Sequence, residues 1–260
     1  MAIDADPRRI LTRAASPVSR TAAYGPDPAQ VYDVRLPTRA PRRTTVAIIH
    51  GGFWQAEFDR SHAASQAQAF ADNGFHVAVL EYRRVGMAGG GWPATFLDVA
   101  AAVAAVRADP ELPDHVVLVG HSAGGHLAAL VASQPDARGL AGAVCLAGCV
   151  DLAMTARMGL GDRAAQSLMG GEPEDLPAAY AEADPAALTP IIPLVLLHGA
   201  DDRVVPPEVS RSYADRVRAS TREHPEVRRT VIPACEHFAL IDPGHPAFAV
   251  VLDSVRSVAL

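Results

Sequence analysis

Val116-Val117-Leu118-Val119-Gly120-His121-Ser122-Ala123-Gly124-Gly125-His126-Leu127 is a run of four β-forming residues, a Gly-x-Ser-x-Gly turn and the start of a helix, with nothing in between. Consecutive branched and leucine side chains without polar alternation predict a strand buried on both faces, as in a parallel sheet. The two glycines of the turn answer a steric need, because side chains flanking the serine would collide with neighbouring backbone. Ser122 is thereby lifted above the strand end. With 20 glycines and 12 serines in 260 residues, the bare pattern arises by chance about 0.07 times. Its position between a strand and a helix is the context that a nucleophile turn requires.

Outward from this stretch, β-rich runs alternate with helical patterns from residue 44 onward, which predicts an α/β fold with a mostly parallel central sheet covered by helices on both faces. Strands are expected at 44–49, 75–82, 116–119, 143–147, 193–197 and 227–232, with an antiparallel edge strand at 31–36. Helices are expected at 61–73, 93–108, 124–133, 207–220 and 246–259. Residues 1–20 read as a loose N-terminal arm and residues 21–260 as one domain. About 45 residues separate the strands at 143–147 and 193–197, more than one crossover needs. Within this insertion, about 150–190, short helices at 162–169 and 177–183 predict a small lid that reads substrate shape.

A serine nucleophile needs a base and an orienting acid, which follow in the order Ser, Asp, His on a sheet of this kind. The strand at 193–197 ends in His198-Gly199-Ala200-Asp201-Asp202, where Asp202 is the expected acid and Asp201 the alternative. Cys235-Glu236-His237-Phe238 follows the last strand, and His237 is the expected base. Of the ten histidines, His245 is the alternative, while His50 and His198 at strand ends are suited to tying loops together. His50-Gly51-Gly52-Phe53-Trp54 closes the first long strand. Its glycines leave backbone N–H groups uncovered, so Gly51 and Gly52, with the N–H of Ala123, are the expected oxyanion hole. Phe53, Trp54 and Trp92 are candidate walls of a substrate pocket, and Glu81 with Arg83 is the expected loop-fixing ion pair.

The composition excludes much else. All 23 basic residues are arginine, so no lysine exists for a P-loop, an imine or a Ser-x-x-Lys acyl enzyme. A net charge of -6 and a pI near 5.9 argue against a nucleic-acid partner. Three cysteines without C-x-x-C spacing suggest neither disulfides nor zinc, and no metal cluster is legible. Residues 1–20 hold no apolar run of five, so no signal peptide is expected, and no stretch is long and apolar enough for a membrane helix. The cytoplasm is the expected location.

At these residues the chain resembles the α/β-hydrolase fold. More narrowly it resembles the kynurenine formamidase (arylformamidase) and hormone-sensitive-lipase-like esterase branch. The likeness is carried by His50-Gly51-Gly52-Phe53-Trp54, by Gly120 to Ala128, by His198 to Asp202 with Val205-Pro206, and by His237-Phe238. Tyr24-Gly25-Pro26 with Gln30 and Asp33 is similar to the entry segment of these enzymes. The resemblance implies a cytoplasmic serine hydrolase of small esters or aryl formamides, without a cofactor, with Ser122, Asp202 and His237 as triad. Phe53 stands where lipase-like esterases carry a third glycine, which favours the formamidase side. Two other readings stand beside it: a hydrolase-fold binding protein without turnover, and a small peptidase or deacetylase of the same fold.

Overall fold

The computed structural model describes residues 6–220 and 223–259. The strands are β1 (Arg20–Ala23), β2 (Val31–Arg35), β3 (Thr45–Ile49), β4 (His76–Leu80), β5 (Val116–His121), β6 (Gly142–Leu146), β7 (Leu194–Gly199) and β8 (Val227–Ile232). They form one sheet in the order β1-β2-β4-β3-β5-β6-β7-β8. The pairs β1·β2 and β2·β4 are antiparallel and all later pairs parallel.

Side-chain alternation divides the sheet into two cores. Ala47, Ile49, Leu118, Cys145 and Leu196 face one layer, and Val46, Ile48, Val119, Leu146 and Leu197 face the other. The first layer is built by α2 (Ala94–Ala108), α3 (Ala123–Ala132) and α7 (Glu208–Ala219), the second by α1 (Ala64–Asp72) and α8 (Ala247–Val258). Both faces are therefore dry, which is why the parallel strands read as unbroken apolar runs. The expected α/β-hydrolase architecture is present.

Register decides where the chemistry can sit. Ile49 pairs with Gly120, His121 with Leu146, Leu146 with Leu197, and Gly199 with Ile232. The loops that begin at His50, Ser122, Ala200 and Pro233 consequently leave the sheet at one edge.

Three expectations need correction. The strand at 31–36 is antiparallel but not the edge, because β1 covers it. Residues 6–20 are not loose: Pro7–Thr12 forms a 3₁₀ turn, Ile10 is 2% exposed, and Arg13 pairs with Asp242 at 2.5 Å. Residues 1–5 lie outside the described residues. The insertion holds three helices, α4 (Leu152–Arg157), α5 (Leu160–Met169) and α6 (Pro177–Ala183). Gly161, Asp162 and Arg163 at the start of α5 have positive φ, and Leu168 and Met169 point into the core.

Candidate active site

The turn around Ser122 is fixed by contacts that no side chain could share. A Cβ on Gly120 would lie 2.1 Å from the carbonyl oxygen of Gly124, and one on Gly124 would lie 2.0 Å from that of Ile49. Ser122 itself has φ 55°, a left-handed conformation that costs a non-glycine residue on the order of 1–2 kcal/mol. The surrounding hydrogen bonds enforce it: Ser122 N donates to Leu146 O at 2.9 Å, and Ser122 O accepts from Gly125 N and Cys149 N. Burial pushes the Cys149 thiol up to about 12, with the Asp202 charge adding to this and a hydrogen bond with Ser122 opposing it.

Asp202 and His237 come together from the ends of β7 and β8. His237 Nδ1 donates to Asp202 Oδ2 at 2.7 Å. The other carboxylate oxygen accepts from the N–H groups of Val204 and Val205, both at 2.9 Å. Burial pushes the Asp202 carboxyl up, but hydrogen bonds from His198 and His237 outweigh it and hold the group well below the usual carboxylate range. Asp201, the alternative acid, is exposed and meets the site only through its N–H, which donates to Cys235 O. Among the described residues nothing hydrogen-bonds His237 Nε2, and that nitrogen is left for the cavity.

His121, in the variable position of the serine turn, meets His237 twice. Its Nε2 donates to His237 O at 3.1 Å, and the two rings lie 4.6 Å apart. Burial lowers the His121 pKa to about 3, and the neighbouring His237 adds to the effect.

Ser122, His237, Gly51, Gly52 and Phe53 line one cavity of about 300 Å³. Among the described residues, the N–H groups of Gly51, Gly52 and Ala123 have no protein acceptor. Phe53 and Trp54, both at positive φ, diverge. Phe53 forms part of the wall and packs on Gly161, where a Cβ would come within 2.6 Å of its ring. Trp54 is fully buried in the core, edge-on to His126 with ring centroids 5.2 Å apart, and does not reach the cavity. Trp92 stacks on Phe96 away from the site.

The walls come from a source the sequence did not announce. Besides Phe53 they are Leu11, Phe58, Val204, Phe238 and Ile241, with Arg8, Glu57 and His62 also lining the cavity. None of the lining residues belongs to the 150–190 insertion, so the expected lid does not cover this cavity; the N-terminal 3₁₀ turn supplies that wall. Glu81 does not pair with Arg83. It pairs with Arg84 and Arg60, and Arg83 binds Asp98 at 2.7 Å. Among the described residues no group of histidines, cysteines and carboxylates could hold a metal ion, and no helix is long and apolar enough to cross a membrane.

A family model described as BD-FAE matches residues 32–217, nearly three quarters of the chain. The chain belongs to the BD-FAE family. The BD-FAE match takes in Gly51, Gly52, Ser122 and Asp202 and ends before His237. Esterase LipC of Mycobacterium tuberculosis (strain ATCC 25618 / H37Rv) is 26% identical over 266 residues, covering 91% of this BD-FAE chain. The chain spans 65% of the length of LipC. Among solved structures, an inhibited esterase B from Lactobacillus rhamnosis superposes with a TM-score of 0.75 at 21% identity, covering 97% of this chain and 90% of that one. Propionate-bound esterase Est2 of the planctomycete Thermogutta terrifontis gives a TM-score of 0.71 at 20% identity and 93% coverage of each chain. These likenesses show the α/β-hydrolase fold.

Proposed function

We propose that this BD-FAE protein hydrolyses small carboxylic esters through an acyl-enzyme on Ser122. The reading is carried by one observation: a buried Asp202–His237 pair at 2.7 Å opens onto the cavity that also holds Ser122 at a strained φ of 55°. When substrate enters, the Ser122 hydroxyl turns about χ1 to His237 Nε2, which takes its proton as Oγ attacks the ester carbonyl carbon. The negative oxygen that forms is met by the free N–H groups of Gly52 and Ala123, with Gly51 beside them. Asp202 keeps the imidazole proton on Nδ1 and stabilises the imidazolium. Collapse breaks the ester C–O bond, His237 returns the proton to the departing alcohol, and a water activated by the same nitrogen releases the acid. No step needs a metal or cofactor.

The walls name the substrate class. About 300 Å³ is the small end of ligand cavities, and its apolar lining suits a short acyl chain with a compact or aromatic alcohol. The names of relatives point the same way, since LipC is an esterase and Est2 was seen with propionate. Aryl formamides are the second reading, favoured by the aromatic lining of Phe53, Phe58 and Phe238. A panel of nitrophenyl esters from acetate to dodecanoate, with N-formyl-kynurenine beside them, tests both. The expected outcome is hydrolysis of acetate to butyrate esters that Ser122→Ala lowers by about 10⁴ or more. Ser122→Ala retaining a tenth of the activity would end the proposal, and formamide turnover above ester turnover would move it to the second reading.

A further inference from the structure

Behind the glycine pair lies a buried polar group with no part in the chemistry above. Tyr82, fully buried two residues past the end of β4, donates its hydroxyl hydrogen to His50 O at 2.7 Å. The His50 ring stacks on Tyr82, with centroids 4.5 Å apart and planes 15° from parallel. His50 Nδ1 lies 2.8 Å from Gly51 O. A carbonyl and a carboxylate oxygen both only accept, so the single ring proton goes to the shorter contact, on Nδ1, rather than to Nε2, which lies 3.2 Å from Glu81 Oε1. His50 is neutral in the fold, since burial, helped by the Arg84 charge, lowers its pKa to about 3. Nε2 is then bare and accepts from Arg84 Nη1 at 3.3 Å, while the neighbouring Glu81 Oε1 accepts from the same Arg84 guanidinium.

The direction of these two bonds matters more than their number. Among the described residues the only cis peptide is Trp92-Pro93, so the units joining His50 to Gly51 and Gly51 to Gly52 are trans. In a planar trans unit the C=O and N–H point to opposite sides. Tyr82 draws the His50 carbonyl back into the protein, and the Gly51 N–H therefore faces the other way. The His50 ring draws the Gly51 carbonyl back, and the Gly52 N–H is turned out. Glycine has no side chain to hold such an orientation, and Gly52 has φ 113°, so the loop needs its bearing from outside.

We propose that Tyr82 and His50 are positioning residues that aim the Gly51 and Gly52 N–H groups at the reacting oxygen. This rests on the hydrolase reading above. Among the described residues neither hydrogen-bonds Ser122 or His237, although His50 lines the same cavity; the pair pre-orients donors, which is where oxyanion stabilisation gains its strength.

The test compares Tyr82→Phe, His50→Asn and His50→Leu with a control, Tyr180→Phe. Tyr180 also donates to a backbone carbonyl, Gly171 O at 3.0 Å, but within the insertion. Tyr82→Phe keeps the stacked ring and should lower kcat on nitrophenyl acetate by about 10- to 100-fold, with KM within threefold. Tyr180→Phe should lower Tm to a similar extent without moving kcat. His50→Asn presents an amide N–H near the position of Nδ1 and should exceed His50→Leu in kcat by at least about tenfold. Should Tyr82→Phe fail to fold, the two His50 variants decide alone, with equal kcat overturning the inference. It is also overturned if Tyr82→Phe keeps kcat within twofold of wild type, or if Tyr180→Phe loses as much. A wild type inert toward every ester overturns the hydrolase reading and this inference together, whereas an active wild type matched by Tyr82→Phe overturns the inference alone.

Discussion

Replacing Asp202 by asparagine changes one atom of the site and should remove nearly all of its activity. In the native site one carboxylate oxygen accepts from Val204 and Val205 N–H, and the other from His237 Nδ1. An asparagine keeps its carbonyl oxygen where two N–H groups demand an acceptor. Its NH₂ then faces His237 Nδ1, where two donors cannot meet. The imidazole relieves this by shifting its proton to Nε2, and a protonated Nε2 cannot take the proton of Ser122. The expected cost is about 10⁴ in kcat, equivalent to roughly 5.5 kcal/mol of activation free energy. Asp201→Asn is the matched control. That side chain is exposed and hydrogen-bonds nothing in the site, so kcat should stay within about threefold of wild type, the range of a surface change. Steady-state hydrolysis of nitrophenyl butyrate by both variants, with circular dichroism to confirm folding, measures the ratio. A ratio near one, or a larger loss for Asp201→Asn, would refute the assignment of Asp202 and the tautomer argument with it.

Further outcomes follow from the geometry. The ester series should peak at four carbons or fewer and fall at least tenfold by eight, since each methylene left unburied forfeits about 0.8 kcal/mol; Leu11→Ala or Phe53→Ala should shift the peak to longer chains. Leu168→Ala, in the core, should instead cost about 2–5 kcal/mol of stability with an unchanged profile, and a shifted profile would restore the insertion as the lid. Burial lowers the pKa of His50 to about 3, with the Arg84 charge assisting, of His121 to about 3, with His237 assisting, and of His126 to about 4. Between about pH 6.5 and 4 the unfolded chain therefore binds protons that the fold refuses, so stability is fully present above that window and is lost as pH falls, with a limiting slope on the order of 4 kcal/mol per pH unit. Asp184, which burial pushes up, opposes this by one proton; denaturation midpoints that stay level from pH 7 to 5 would contradict the prediction. Because Asp202 stays ionised well below the usual carboxylate range, the acid limb of kcat/KM should show one proton and no change with chelators, and a two-proton limb would contradict it.

The sequence was legible where a local steric rule fixed the answer and opaque where only distant contacts did. The serine turn could be read because Gly120 and Gly124 are imposed by atoms about 2 Å from any added Cβ. Asp202 and His237 could be read because each follows a strand whose register sets its end. Phe53 and Trp54 look alike in sequence, but successive positive φ values send one ring into the cavity and the other into the core. The wall built by residues 7–12 carried no periodic signal, being one 3₁₀ turn anchored by Ile10 and by Arg13 on Asp242, 229 positions away. β1, Arg-Thr-Ala-Ala, is two half-buried and two exposed residues of which only Thr21 favours strands, and its pairing with β2 makes it a strand. Glu81 and Arg83 are close in sequence, but the strand ends at Leu80, so alternation no longer governs which side each takes.

The proposed reaction rests on Ser122 as a nucleophile activated by His237 in the cavity that both line. Intact-protein and peptide mass spectrometry after treatment with a fluorophosphonate ester tests it most directly. One equivalent of adduct is expected, located on Ser122, formed at a rate that falls steeply in His237→Ala and vanishes in Ser122→Ala. An adduct on another residue, or a wild type that stays unlabelled while folded, would contradict it.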